Sequence, residues 1–416
     1  MIYLYLVSGI FLGWSLGANH AANVIGTAVA SKMVRFRTAA TLCSVFLVLG
    51  AVFGGSGTTA TLGSLGTVNA MAGAFMVTLA AALSVYWMTQ LKLPVSTSQA
   101  IIGAILGWNL FAGVATDLGA LARIVLSWGA AIVLTAALSA LLYLLFRAVL
   151  RRSRVHLLAQ DAYTRAGLVL VGAFGAYSLG ANNIANVMGV FVPVSPFHDV
   201  GVGGLFTLSG VQQLFLLGGI AIAVGVFTYS RKVIQTVGSD LLKLSPLAGF
   251  IVVLSESLVL FLFSSKALEG WLQAHGLPTI PLVPISSSQA VIGGIIGIAV
   301  VRKGRDIRFR VLGEIALGWL VTPLLAGMIT FFGLFVLQNV FDQQVVRRPP
   351  ATVVRETAAP ARPAPVAAIG AASPASPRAV VAAKNPPPAS EKKPGEKKDA
   401  GYSGQERKSG MEPKGS

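Results

Sequence analysis

Two polar motifs occur twice, in the same order, inside a chain that is otherwise strongly apolar. Ser15-Leu16-Gly17-Ala18-Asn19-His20-Ala21-Ala22-Asn23-Val24 returns as Ser178-Leu179-Gly180-Ala181-Asn182-Asn183-Ile184-Ala185-Asn186-Val187. Pro94-Val95-Ser96-Thr97-Ser98-Gln99-Ala100 returns as Pro284-Ile285-Ser286-Ser287-Ser288-Gln289-Ala290. From Leu93 and Val283 onward, nine of sixteen positions are identical. The offset is 163 residues from Asn19 to Asn182, 190 from Gln99 to Gln289 and 191 from Trp128 to Trp319. The second copy therefore carries an insertion of about 27 residues between its motifs. Polar, glycine-interrupted segments at matching places in two hydrophobic halves point to a binding site shared by the halves of a membrane carrier.

The surroundings fit that class. The chain is 54% hydrophobic and 11% charged, against roughly 25% charged for a soluble domain. Apolar runs near the ~20 residues that cross a bilayer recur at roughly 1–16 with 24–30, 38–54, 68–89, 93–114, 121–146, 166–192, 205–229, 246–265, 280–301 and 311–338. They predict an all-α integral membrane protein, an inverted-repeat transporter with about ten spanning segments and broken or re-entrant helices. The first basic residue is Lys32, so residues 1–16 are read as the opening of a membrane helix and not as a cleaved leader.

The net charge of +17 comes largely from loops and tail. Four basic clusters lie between spans, at Lys32 to Arg37, Arg147 to Arg154, Arg231-Lys232 and Arg302 to Arg310. Short basic loops stay in the cytoplasm. Placing all four inside gives about ten crossings, both termini outside, and a multi-pass protein of the inner (cytoplasmic) membrane. Nucleic acid is not the expected partner. Five crossings per half would invert the second half relative to the first. The expected organisation is a first repeat (1–150), a basic cytoplasmic linker (151–165), a second, inverted repeat (166–341) and a tail (342–416). The tail holds 12 of the 20 prolines and Lys/Glu runs, a composition that cannot offset its ordering entropy by burial.

The chemistry lies in the repeats. A proline followed by hydroxyl residues is a helix start, and a helix start inside a membrane offers unpaired N–H groups and a positive dipole end. With Ser96, Thr97, Ser98 and Gln99, and Ser286, Ser287, Ser288 and Gln289, that is an anion site without a charged side chain. Two such sites could grip a tetrahedral oxyanion from both sides. The alternative is back-bonding of these hydroxyls to their own helices. Gly17-Ala18-Asn19 and Gly180-Ala181-Asn182 read as helix interruptions. Asn19 and Asn182 are assigned to substrate; His20, Asn23, Asn183 and Asn186 to a coupling ion, or to interhelical contacts. Glu256 alone among the carboxylates looks deep in a span, which makes it the leading proton carrier or an ion-pair partner; Glu314 is expected to pair with Arg308 or Arg310. The single cysteine, Cys43, lies in an apolar run and is read as packing. No metal cluster, catalytic triad or nucleotide loop appears, so neither an enzyme nor a cofactor is expected.

These motifs resemble the inorganic phosphate transporter (PiT) family over most of residues 5–338. The paired Gly-Ala-Asn and Pro-[Val/Ile]-Ser segments carry the likeness, with Arg231 to Gly238 and Gly318 to Pro323. The resemblance implies phosphate bound between two inverted halves with a coupling cation beside it. Asn19, Asn23, Asn182, Asn186, Ser96, Thr97, Ser98, Ser286, Ser287 and Ser288 would then form the substrate-and-ion region. The family usually has Asp where this chain has His20 and Asn183, Glu where it has Leu47 and Val253, and often His where it has Gln99 and Gln289. The loss of those acids favours a coupling proton, or no coupling ion, over sodium. It also leaves a sulfate permease as the alternative substrate class and a transport-inactive sensor or scaffold as a third reading. The oligomeric state, including a homo-oligomer, stays open.

Overall fold

The apolar runs fold as helices, because a segment in hydrocarbon must satisfy its own backbone N–H and C=O groups. The computed structural model describes residues 2–91, 95–153, 156–202, 206–240, 245–302 and 309–347. In chain order the helices are α1 (Leu6–Ala30), α2 (Phe36–Gly54), α3 (Ser56–Leu65), α4 (Met71–Gln90), α5 (Thr97–Ala112), α6 (Leu118–Arg152) and α7 (Leu157–Met188). There follow α8 (Gly210–Thr228), α9 (Ser230–Asp240), α10 (Pro246–Leu262), α11 (Lys266–Ala274), α12 (Ser287–Val301) and α13 (Phe309–Asn339). The all-α expectation needs one amendment. β1 (Val200–Val202) and β2 (Phe206–Leu208) pair antiparallel as a small hairpin between α7 and α8. Pro94, Arg154, Lys303, Arg305, Arg308 and the chain from 348 on lie outside the described residues, and the expected pairing of Glu314 with Arg308 or Arg310 falls on side chains outside those described.

Among the described residues, six helices are long and apolar enough to cross a membrane, and seven if α10 and α11, bent by 64°, count as one span. That is fewer than the ten expected, for two physical reasons. The Asn19-His20 and Asn23 positions lower the mean hydropathy of α1. Helices α5 and α12 have only 16 and 15 residues, because each begins at a buried serine motif.

Packing recurs in matched pairs, and each half lends helices to the other. A Cβ on Gly17 would lie 1.9 Å from the Ile222 carbonyl oxygen of α8; on Gly180 it would lie 2.1 Å from that of Leu47 in α2. Gly225 meets Trp14 O and Gly50 meets Tyr177 O in the same way. Further along, Gly103 and Gly107 of α5 abut Pro323 and Gly327 of α13, while Gly293 and Gly297 of α12 abut Ile132 and Ala136 of α6. Each contact maps onto its twin by the repeat offsets. That offset is 163 for α1 and α7, 175 for α2 and α8 (Leu47 to Ile222, Gly50 to Gly225) and 190 for α5 and α12. The 27-residue insertion is thus split, twelve residues before α8 and fifteen between α8 and α12. The hairpin occupies the first of these. Small residues that admit a neighbouring backbone are the usual device for tight helix contact in membranes.

These contacts correct the reading of Gly17 and Gly180 as helix breaks. Helices α1 and α7 run unbroken through Gly-Ala-Asn, and the glycines serve close approach. Past α13, Val345 is buried. Trp108 Nε1 donates to its carbonyl at 3.3 Å, and Asn69 exchanges two hydrogen bonds with the Arg347 backbone at 2.8 and 2.9 Å. Residues 342–347, on the tail side of the boundary expected at Asp342, thus lie against α4 and α5.

Candidate functional site

Helices α5 and α12 start as the proline-hydroxyl pattern requires. Ser96 and Ser286 are extended N-caps whose hydroxyls accept from Gln99 N and Gln289 N, both at 3.3 Å. Their serines do not back-bond to their own helices. Ser98 Oγ donates to Ile285 O at 3.2 Å, and Ser288 Oγ donates to Val95 O at 2.8 Å. Each motif thus holds the extended residue that leads into the other. The two helix starts face one another across a pseudo-two-fold relation.

His20 lies between them. Its Nε2 is 3.0 Å from Thr97 Oγ1 and its Nδ1 is 2.7 Å from Ser287 Oγ. A neutral imidazole donates from one nitrogen and accepts at the other, so one hydroxyl gives and the other receives. His20, Thr97 and Ser287 are all buried. The second amide motif closes the cluster. Asn182 clamps Ile285, donating to its carbonyl at 2.8 Å and accepting its N–H at 3.2 Å. Asn186 Nδ2 donates to Ser98 Oγ at 2.8 Å and to Asn183 Oδ1 at 3.2 Å, while Asn183 Nδ2 donates to Leu179 O.

The first motif contributes His20 alone, and its amides stay outside this network. Asn19 Nδ2 turns back to Ser15 O at 2.9 Å, and Asn23 Nδ2 is buried without a partner. Asn19 instead faces a small cleft with Trp14, Tyr86, Gln90 and Tyr229. Glu256 is fully buried on α10, and neither carboxylate oxygen has a hydrogen-bond partner. It makes no bond to the cluster. Sequence reasoning missed the supports of the second motif. Thr58 on α3 donates to Asn182 O at 3.3 Å, Thr61 donates to Leu282 O, and Trp128 Nε1 donates to Pro284 O at 3.4 Å. The tryptophan repeat at 128 and 319 was the available signal for the last of these.

Two helix N-termini carry partial positive charge and leave their first N–H groups without intrahelical acceptors. Surrounded by hydroxyls and amides, they suit an anion. No carboxylate takes part in the described hydrogen bonds of the cluster. The Asn182 clamp should matter for stability. Asn182→Ala strands the buried Ile285 N–H, a loss of about 1–3 kcal/mol when unsatisfied, and leaves the Ile285 carbonyl with only its longer bond from Ser98. A clearly lower thermal midpoint of the purified protein in detergent is the expected result.

The comparisons with known proteins agree with this architecture. The sequence profile described as the phosphate transporter family matches residues 16–330 and 276–366. A protein named "Putative phosphate permease" in Methanocaldococcus jannaschii is 28% identical over 79% of this chain and 96% of its own length. Human "Sodium-dependent phosphate transporter 1" is 27% identical over 39% of this chain and 22% of its own length. A solved structure titled "The sodium-dependent phosphate transporter" superposes with a TM-score of 0.65, at 22% identity, over 81% of this chain and 98% of the other. That likeness carries the fold. The chain is a multi-pass membrane transporter, not an enzyme, and belongs to the phosphate transporter family.

Proposed function

We propose that this protein carries inorganic phosphate inward across the cytoplasmic membrane by alternating access between two inverted repeats, with protons as the coupling ion. The observation that carries the reading is the meeting of the α5 and α12 N-termini around His20. Each start comes from a different half, so an anion held between Thr97-Ser98 and Ser287-Ser288 would touch both. Moving one half against the other would then expose the same ligand to either side.

Coupling by protons is favoured by the chemistry at the repeat positions. His20 and Asn183 stand where the resemblance implies acids, and a sodium ion loses its strongest ligands there. Glu256 is buried with no hydrogen-bonding partner. An uncompensated buried carboxylate costs several kcal/mol, so a proton or a cation must accompany it. The human relative's name, sodium-dependent, supports sodium as the competing ion. The carboxylate-free cluster supports sulfate as the competing substrate.

Uptake of labelled phosphate and sulfate into proteoliposomes tests the reading, under an inward proton gradient with and without sodium. Phosphate uptake stimulated by external acid and indifferent to sodium is expected. Glu256→Gln should remove the acid stimulation while phosphate binding persists. A strict sodium requirement would overturn the proton reading, and unchanged pH dependence in Glu256→Gln would take that residue out of the mechanism. Sulfate uptake with phosphate ignored would replace the substrate.

A further inference from the structure

The same local pattern, Ser-x-x-Gln at a helix start, occurs three times and is resolved in two different ways. At α8 it closes a full capping box. Ser209 Oγ accepts from Gln212 N at 3.2 Å, and Gln212 Oε1 accepts from Ser209 N at 3.0 Å. This is the usual reciprocal arrangement. At α5 and α12 only the first half of the box forms. Ser96 and Ser286 cap Gln99 N and Gln289 N, but Gln99 Oε1 and Gln289 Oε1 are buried without any partner. Both residues are only 4% exposed. Side chains on a helix lean toward its N-terminus, so each amide in the third helical position reaches toward the start of its own helix. That start is where Thr97 and Ser287 flank His20.

Two symmetry-related acceptors are therefore left open in a place otherwise rich in donors. Buried acceptors are rarely left so, and each exception calls for a missing partner. Sulfate cannot supply one, because it has no proton to give. A phosphate monoanion or dianion carries P–O–H groups, and its unprotonated oxygens still need the donors. Resting on the phosphate reading above, we propose that Gln99 and Gln289 are specificity-determining residues. Their amide carbonyls accept hydrogen bonds from the P–O–H groups of a protonated oxyanion and so select it over sulfate. A site built to pair a substrate hydroxyl rejects the analogue that lacks it far more strongly than a merely apolar pocket would.

Competition against labelled phosphate uptake in proteoliposomes tests this on the unaltered protein first. Arsenate, which keeps the O–H groups, should compete within a few-fold of phosphate. Sulfate and monofluorophosphate, which lacks one hydroxyl, should compete at least about tenfold less well, since each unmet acceptor weakens binding by roughly that factor. Sulfate and monofluorophosphate competing as strongly as arsenate would overturn the proposal. In the Gln99→Met/Gln289→Met variant, sulfate competition should strengthen about tenfold relative to arsenate. An unchanged ratio in a folded variant would mean that water satisfies these oxygens, and would also overturn it. Absence of any phosphate uptake by the unaltered protein would instead sink the transport reading, and the selectivity with it.

Discussion

Thr97→Val combined with Ser287→Ala should abolish phosphate uptake while leaving a folded, monodisperse protein. The two hydroxyls are the groups that His20 joins, and the proposed mode of binding makes them donors to the anion. A hydrogen bond to a charged group is worth about 1.5–3 kcal/mol. Losing two at one site should lower uptake at subsaturating phosphate by about 100-fold or more. Folding should survive, because the backbone crossings of Ser98 to Ile285 and Ser288 to Val95 remain. Labelled uptake beside a size-exclusion profile separates the two effects. Near-normal uptake in the double variant would remove the helix starts from the substrate path.

Gly180→Ala should be a severely damaging small substitution. Alanine normally stabilises a helix interior by about 1 kcal/mol over glycine, so an exposed site predicts a gain. At Gly180 the added methyl would sit 2.1 Å from Leu47 O and 2.9 Å from its carbonyl carbon, where no side-chain rotation can relieve it. Helices α2 and α7 must move apart. Overpacking of this kind costs about 1–3 kcal/mol or more. Gly129→Ala on α6, with nothing within 4 Å, is the control with the opposite sign. Thermal midpoints measured in one detergent should fall sharply for the first and hold or rise for the second. Equal midpoints would mean that the glycine contacts do not hold the halves together.

The parts of this architecture that were legible in the sequence share one property: their chemistry is local. Ser96 and Ser286 cap the helices that begin beside them, and a proline-hydroxyl run announces such a start without reference to anything distant. The twin offsets of 163 and 190 were legible because polar residues stand out in an apolar chain. The 175-residue offset of α2 and α8 was not, because Leu47 and Ile222 contribute only backbone carbonyls to their contacts. Gly17 was misread for the same reason. A glycine permits either a break or a close approach, and what decides between them is the Ile222 carbonyl, which belongs to the other half. Fewer helices than expected are long and apolar enough to cross, because an apolar run does not show that α5 and α12 start inside the protein. The asymmetry of the amide motifs was also hidden. Asn182 clamps Ile285 while its twin Asn19 bonds back to Ser15, and only the surrounding packing distinguishes them.

Locating the anion itself is the most direct test of the central claim, that substrate is held between helix starts contributed by both halves. An experimental structure of the protein purified in phosphate should show density between Thr97-Ser98 and Ser287-Ser288. The Ser287 Oγ to His20 Nδ1 contact, 2.7 Å here, should be lengthened or exchanged for a bond to the ligand. Phosphate bound elsewhere, with the His20 bridge intact, would contradict the account.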